Sequence, residues 1–73
     1  MKNYVESNFS VKQLKSILKS LTEQLAYLER EGNKIEVREK MLDINYYNSL
    51  FYKMVDWQEY SNFQDVLDEI RNN

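Results

Sequence analysis

Cysteine, histidine and proline are absent from this 73-residue chain, and Gly32 is its only glycine. Without cysteine no disulfide can form, and without cysteine and histidine the usual zinc ligands are missing. A calcium or magnesium site made of carboxylates alone would need clustered acids on a loop with a glycine turn, and the surroundings of Gly32 do not fit that pattern. The sequence therefore predicts no metal and no cofactor.

The same absences bear on catalysis, because histidine and cysteine are the usual bases and nucleophiles. There is no glycine-rich phosphate loop either. The carboxylates Asp65, Asp68 and Glu69 fall on the polar side of a terminal helix and are typical of a solvated face rather than an acid–base pair. We therefore expect that the protein is not an enzyme.

The chain also lacks any apolar run near the roughly 20 residues that a membrane-spanning helix requires. Its first ten residues show no apolar segment followed by a small-residue cleavage site, so no signal peptide is expected. Together with the lack of cysteine, this predicts a cytoplasmic protein that does not associate with membranes.

What the chain does contain is helical periodicity, and its first helix carries the clearest signals. Ser10 and Gln13 have the spacing of a capping box, and Phe9 and Leu14 that of a hydrophobic staple. The glycine at position 32 suits the left-handed residue that ends many helices. An apolar seam of heptad type lies between these ends, formed by Val11, Leu14, Leu18, Leu21, Leu25 and Leu28 and widened by Ile17.

We predict one all-α domain, an antiparallel helical hairpin plus a shorter C-terminal helix, as a small three-helix bundle that dimerises. The expected segments are an N-terminal tail (1–9), helix 1 (10–32), helix 2 (33–55) and the C-terminal helix (56–73). Two capping boxes compete for the start of the last helix, one at Asp56 and one at Ser61, and the sequence does not decide between them.

Helix 2 has apolar residues on two opposite sides, which is typical of a helix packed between two partners. One side carries Val37, Met41, Ile44, Phe51 and Val55, with Tyr47 and Met54 at its edge. The nearly opposite side carries Ile35, Leu42, Tyr46, Leu50 and Trp57. We expect helix 2 at the centre of the bundle, with helix 1 covering the first side and the short last helix covering only part of the second.

This uncovered side is the predicted interaction surface, because exposed contiguous apolar area usually marks a binding site. It consists of Ile35, Leu42, Tyr46, Leu50, Trp57 and Tyr60. The main hypothesis is a protein-interaction module that regulates or inhibits a protein partner. Two alternatives remain: a homo-oligomer, most simply a dimer, or a three-helix core that the aromatic residues merely close. The composition, rich in Asn, Lys, Ile, Leu and Tyr, is also typical of AT-rich genomes such as those of phages and mobile elements.

The net charge argues weakly against nucleic acid as a partner, since 12 acidic residues outnumber 10 basic ones. Lys12, Lys15 and Lys19 nevertheless line one side of helix 1 and could touch phosphates, although such lysines more often form a solvated helix face. The opposite alternative is mimicry of DNA by spaced carboxylates in the last segment: Asp56, Glu59, Asp65, Asp68 and Glu69. Ordinary surface acidity is the preferred explanation, because a true mimic should carry far more negative charge than the net −2 of this chain.

Overall fold

The computed structural model describes residues 9–72 and contains three α-helices: α1 (Val11–Glu31), α2 (Lys34–Met54) and α3 (Trp57–Asn72). Contacts between side chains show how they run. Gln24 meets Lys40 across the hairpin, so α1 and α2 are antiparallel. The predicted all-α three-helix bundle is confirmed. Within the described part of the chain, no helix combines the length and the apolar character needed to cross a membrane.

The start of α1 is held by reciprocal hydrogen bonds. The Gln13 backbone N–H donates to Ser10 Oγ at 3.0 Å, and the Ser10 backbone N–H donates to Gln13 Oε1 at 2.8 Å. These bonds satisfy amide groups that the first helical turn would otherwise leave without acceptors. The helix therefore begins where the sequence predicts.

The turn between α1 and α2 consists of two residues with different tasks. Gly32 adopts the left-handed conformation, with φ of 77°, and its N–H donates to the carbonyl oxygen of Glu29. The Asn33 N–H reaches back to Leu28, and the Asn33 side chain accepts from the Glu36 N–H at 3.2 Å. Gly32 thus ends one helix and Asn33 caps the next, so that the chain reverses direction at once.

The break between α2 and α3 lies at Val55 and Asp56. Val55 is extended, with φ of −131° and ψ of 164°, and Asp56 Oδ1 accepts from the Glu59 N–H at 2.8 Å. Of the two possible starts, the one capped by the Asp56 side chain is therefore the one used. Ser61 lies inside α3, because the cap at Asp56 has already begun the helix one turn earlier.

The main core lies at the end of the bundle where α1 begins, α2 ends and α3 begins. Each helix contributes two buried side chains to it: Leu14 and Leu18, Leu50 and Phe51, Phe63 and Leu67. The centroids of the Phe51 and Phe63 rings are 5.1 Å apart, and this aromatic contact holds α2 against α3 at this end of the bundle.

The expectation that helix 2 lies at the centre is wrong, because α1 is the helix that packs against both others. Two ion pairs show that α3 runs parallel to α1: Lys15 with Glu59 near their starts, and Glu29 with Arg71 near their ends. The side of α1 next to its leucine seam carries the buried small residues Thr22 and Ala26. Small side chains allow a neighbouring helix to approach closely, so α3 packs beside α1 rather than over the outer side of α2.

Candidate interaction surface

The side of α2 that faces away from α1 remains uncovered. Ile35 is 75% exposed, Leu42 is 64% exposed and Tyr46 is 47% exposed. These three residues, which we call the outer α2 stripe, follow one another at spacings of seven and four and so lie along one side of the helix. Single exposed apolar side chains are ordinary in proteins, but three on one side of a helix give that side an apolar character.

Leu50 was predicted to belong to the same surface, and here the prediction is wrong. It is only 3% exposed and packs in the main core with Phe51. Leu50 lies close to the end of α2, where all three helices converge, whereas Ile35 and Leu42 lie toward the other end. Position along the helix therefore decides burial as much as the helical face does.

A second group of aromatic rings lies at the turn between α2 and α3, and we call it the aromatic corner: Tyr52, Trp57 and Tyr60. Trp57 stacks on Tyr60 with ring centroids 5.9 Å apart, and Tyr52 meets Tyr60 edge to face at 5.0 Å. Tyr60 is half-buried against the core, whereas Trp57 is 69% exposed and Tyr52 is 54% exposed. One anchored ring therefore supports two rings that face solvent.

The predicted surface thus divides into two groups of residues. The ring contacts of Tyr46 run to Tyr47, 5.0 Å away, and from there to Phe9 at 5.8 Å. The contacts of Trp57 and Tyr60 belong to the aromatic corner instead. Tyr52 was not predicted, because it falls on a polar side of α2 in the sequence pattern. Only the tight turn at Val55 and Asp56 brings α3 beside it.

The three lysines predicted as a weak nucleic-acid contact have different environments. Lys15 forms an ion pair with Glu59 at 3.0 Å and lies 5.7 Å from the centre of the Phe63 ring. Lys12 and Lys19 are exposed. Because the Glu59 carboxylate neutralises Lys15, the row of three lysines does not present a continuous positive charge and is poorly suited to binding a phosphate backbone.

The carboxylates are likewise divided between internal pairing and exposure. The Arg71 guanidinium donates to both carboxylate oxygens of Glu29, at 3.2 and 2.7 Å, and these hydrogen bonds lower the pKa of Glu29. Asp65, Asp68 and Glu69 are exposed on α3. Among the described residues there is no cluster of three or more side chains arranged to hold a metal ion.

One crevice separates α2 from α3 beyond the core, with Thr22 and Leu25 of α1 among its lining residues. Its volume is about 170 Å³, which is below the roughly 300–1,000 Å³ of typical small-molecule sites. Asn48 and Gln64 lie in its walls and hydrogen-bond to each other across it. The crevice follows from the divergence of two helices that both pack on α1.

Most of the large apolar and aromatic side chains exposed in the described region therefore lie on α2 and at the following turn, whereas Tyr27 is exposed on α1 and Val66 on α3. Comparisons of the chain with protein-family models, with curated proteins and with solved structures give no match.

Proposed function

We propose that this protein is a non-enzymatic protein-interaction module, which regulates or inhibits a partner protein by docking against it. The surface that would dock consists of the outer α2 stripe and the aromatic corner. We place this activity in the reducing cytoplasm, to which a chain without cysteine is suited.

The observation that carries the proposal is the exposure of Ile35, Leu42 and Trp57 in a chain with so small a core. Burying one such side chain stabilises a protein by roughly 1.5–3 kcal/mol. Keeping three of them in water therefore forgoes a large part of the roughly 3–5 kcal/mol that a domain of this size gains from its core. A binding function explains why these positions are apolar.

The chemistry of the surface also fits a protein rather than a small molecule. Tyrosine and tryptophan are enriched at the centres of protein interfaces, where their rings bury much area at little cost in rotamer entropy. Trp57, stacked on the half-buried Tyr60, is held at the turn in the way expected of an anchoring residue.

The test uses a double variant, Leu42→Glu with Trp57→Glu, which places one charge in each group of the surface. Its control, Ser16→Glu with Asn62→Glu, adds the same two charges at exposed polar positions. Both should keep the helical circular dichroism and melting temperature of the parent, because none of the four side chains is buried. Proteins of the source cells would be captured by crosslinking, and the purified partner titrated calorimetrically.

We expect a partner that binds the parent and the control with similar affinity and the surface variant at least tenfold more weakly. Equal affinity for all three proteins would show that this surface is not the docking site. A partner that contacts neither the outer α2 stripe nor the aromatic corner would overturn the proposal in the same way.

A further inference from the structure

We propose that the occupant of the outer α2 stripe is a second copy of this chain, bound antiparallel across a twofold axis near Tyr46. This inference rests on the proposed function, because it assigns a partner to one part of the same surface. It is carried by the arrangement of charges around the stripe.

The stripe belongs to a longer row of residues on one side of α2. Glu39 and Lys53 lie seven residues before and after Tyr46, and a separation of seven residues returns to nearly the same helical face. Both of these charged side chains are exposed. Ile35 and Leu42 form the neighbouring row at the same spacing, as in the seam of a coiled coil.

The positions of these two charges decide the direction of the second helix. In a parallel pair, each residue faces its own copy, so Glu39 meets Glu39 and Lys53 meets Lys53. In an antiparallel pair centred on Tyr46, Glu39 lies within one helical turn of Lys53 of the second copy, and symmetry repeats this contact. The antiparallel arrangement therefore replaces two repulsions by two attractions.

The apolar residues fit the same arrangement. Leu42 lies one turn from the axis, opposite the stretch of the second α2 that follows Tyr46. Ile35 lies about 16 Å from the axis and reaches the level of the second copy's α2–α3 turn, which carries the exposed Trp57. Ile35 thus comes level with an exposed apolar residue and the two charged positions meet each other, whereas Leu42 comes level with Leu50, which is itself buried in the main core.

The contact would be modest in size. From Ile35 to Lys53 the row is about 27 Å long and offers three large apolar side chains per copy. Interfaces below roughly 1,200 Å² of total buried area are typical of weak, reversible complexes. We therefore expect association in the micromolar range or weaker, so that an exchange between a second copy and another protein partner is feasible.

The first experiment is sedimentation equilibrium of the full chain from micromolar to millimolar concentration, with Leu42→Glu as the disrupting variant and Asn62→Glu as the control. The parent and the control should dimerise, and Leu42→Glu should remain monomeric with an unchanged melting temperature at low concentration. A parent that stays monomeric at millimolar concentration would overturn the inference. Binding of a different protein in the calorimetric test would then still support the proposed function.

The second experiment tests the direction of the helices by charge reversal. Glu39→Lys alone and Lys53→Glu alone should each raise the dissociation constant on the order of tenfold. Mixing these two variants should restore association, because every Glu–Lys contact is then regenerated in the mixed dimer. Failure of the mixture to associate better than either variant alone would overturn the proposed register.

Crosslinking gives an independent check, because the chain has no cysteine of its own. A short bis-maleimide should join two copies of Tyr46→Cys but not two copies of Ile35→Cys, whose positions are about 33 Å apart in the antiparallel dimer. Efficient crosslinking of Ile35→Cys would indicate a parallel pair and would contradict the inference.

Discussion

Asn48 on α2 and Gln64 on α3 exchange two hydrogen bonds through their side-chain amides. Gln64 Nε2 donates to Asn48 Oδ1 at 2.9 Å, and Asn48 Nδ2 donates to Gln64 Oε1 at 3.2 Å and to the Tyr60 hydroxyl at 3.3 Å. The pair is partly buried where α2 and α3 diverge. It therefore fixes how the two helices are placed along each other at the edge of their contact.

Replacing Asn48 by alanine should lower the free energy of unfolding by about 1–3 kcal/mol, because a partly buried amide of Gln64 loses its partner. The double variant Asn48→Leu with Gln64→Leu should lose less than the sum of the single losses, since neither polar group is then left without a partner. Urea denaturation, monitored by circular dichroism, measures the free energy of unfolding of each variant. Asn45→Ala, an exposed amide on the same helix, is the control and should change stability by no more than about 0.5 kcal/mol.

Leu18 and Leu42 offer a matched test of core against surface. Leu18 is fully buried in the main core, and Leu42 is mostly exposed on the outer α2 stripe. Leu18→Ala should lower the free energy of unfolding by about 2–5 kcal/mol. A loss of that size is enough to leave most molecules of so small a domain unfolded. Leu42→Ala should leave the monomer within about 0.5 kcal/mol of the parent. Thermal melts at low protein concentration would contradict this description if the two variants behaved alike.

Gly32 should tolerate substitution poorly even though space is available around it. A Cβ atom there would meet nothing within 4 Å, but the residue has φ of 77°. Gly32→Ala should therefore cost about 1–2 kcal/mol through the left-handed backbone alone. Gly32→Asn should cost less, because asparagine enters this conformation more readily. Equal losses for both variants in urea denaturation would argue against the left-handed turn.

The Glu29–Arg71 pair should make stability depend on pH in the acid range only. Hydrogen bonds from Arg71 lower the pKa of Glu29 below its ordinary value of 4.5. The contribution of this ion pair to the free energy of unfolding is therefore fully present above the ordinary pKa of a glutamate. It is lost as the pH falls through the lowered pKa of Glu29 in the folded protein. Both side chains are more than one-third exposed, so the pair contributes no more than about 1 kcal/mol.

Glu29→Gln should remove this part of the pH dependence. Unfolding free energies of the parent and the variant, measured between pH 3 and pH 7 in steps of about half a unit, should converge at the acid end. A difference that persists unchanged at the lowest pH would show that Glu29 acts through something other than its charge. Glu31→Gln provides a control at an exposed position two residues away.

Local signals in the sequence predicted the helices well. The ends of α1 follow from Ser10 and Gly32, whose roles depend on neighbouring backbone groups alone. The start of α3 was left open between Asp56 and Ser61, because both have a capping residue at the correct spacing. The choice between them depends on where the chain must turn for Phe63 and Leu67 to enter the core, which is a property of the packed bundle.

The interaction surface was predicted less completely. Ile35, Leu42, Tyr46 and Trp57 are exposed as expected, whereas Leu50 is buried and Tyr52 was missed. A helical wheel assigns a face to each residue but does not show how far along the helix a neighbour extends. Leu50 and Leu42 share a face, yet only Leu50 lies within the region where the three helices meet.

The sequence by itself determined that the chain forms three helices, because periodicity and caps act over a few residues. It also determined that α2 carries more apolar surface than one neighbour can cover. Only the tertiary structure decided that α1, rather than α2, is the central helix. The reason is that Thr22 and Ala26 admit α3 beside α1, and the benefit of such close packing depends on the shapes of two helices at once.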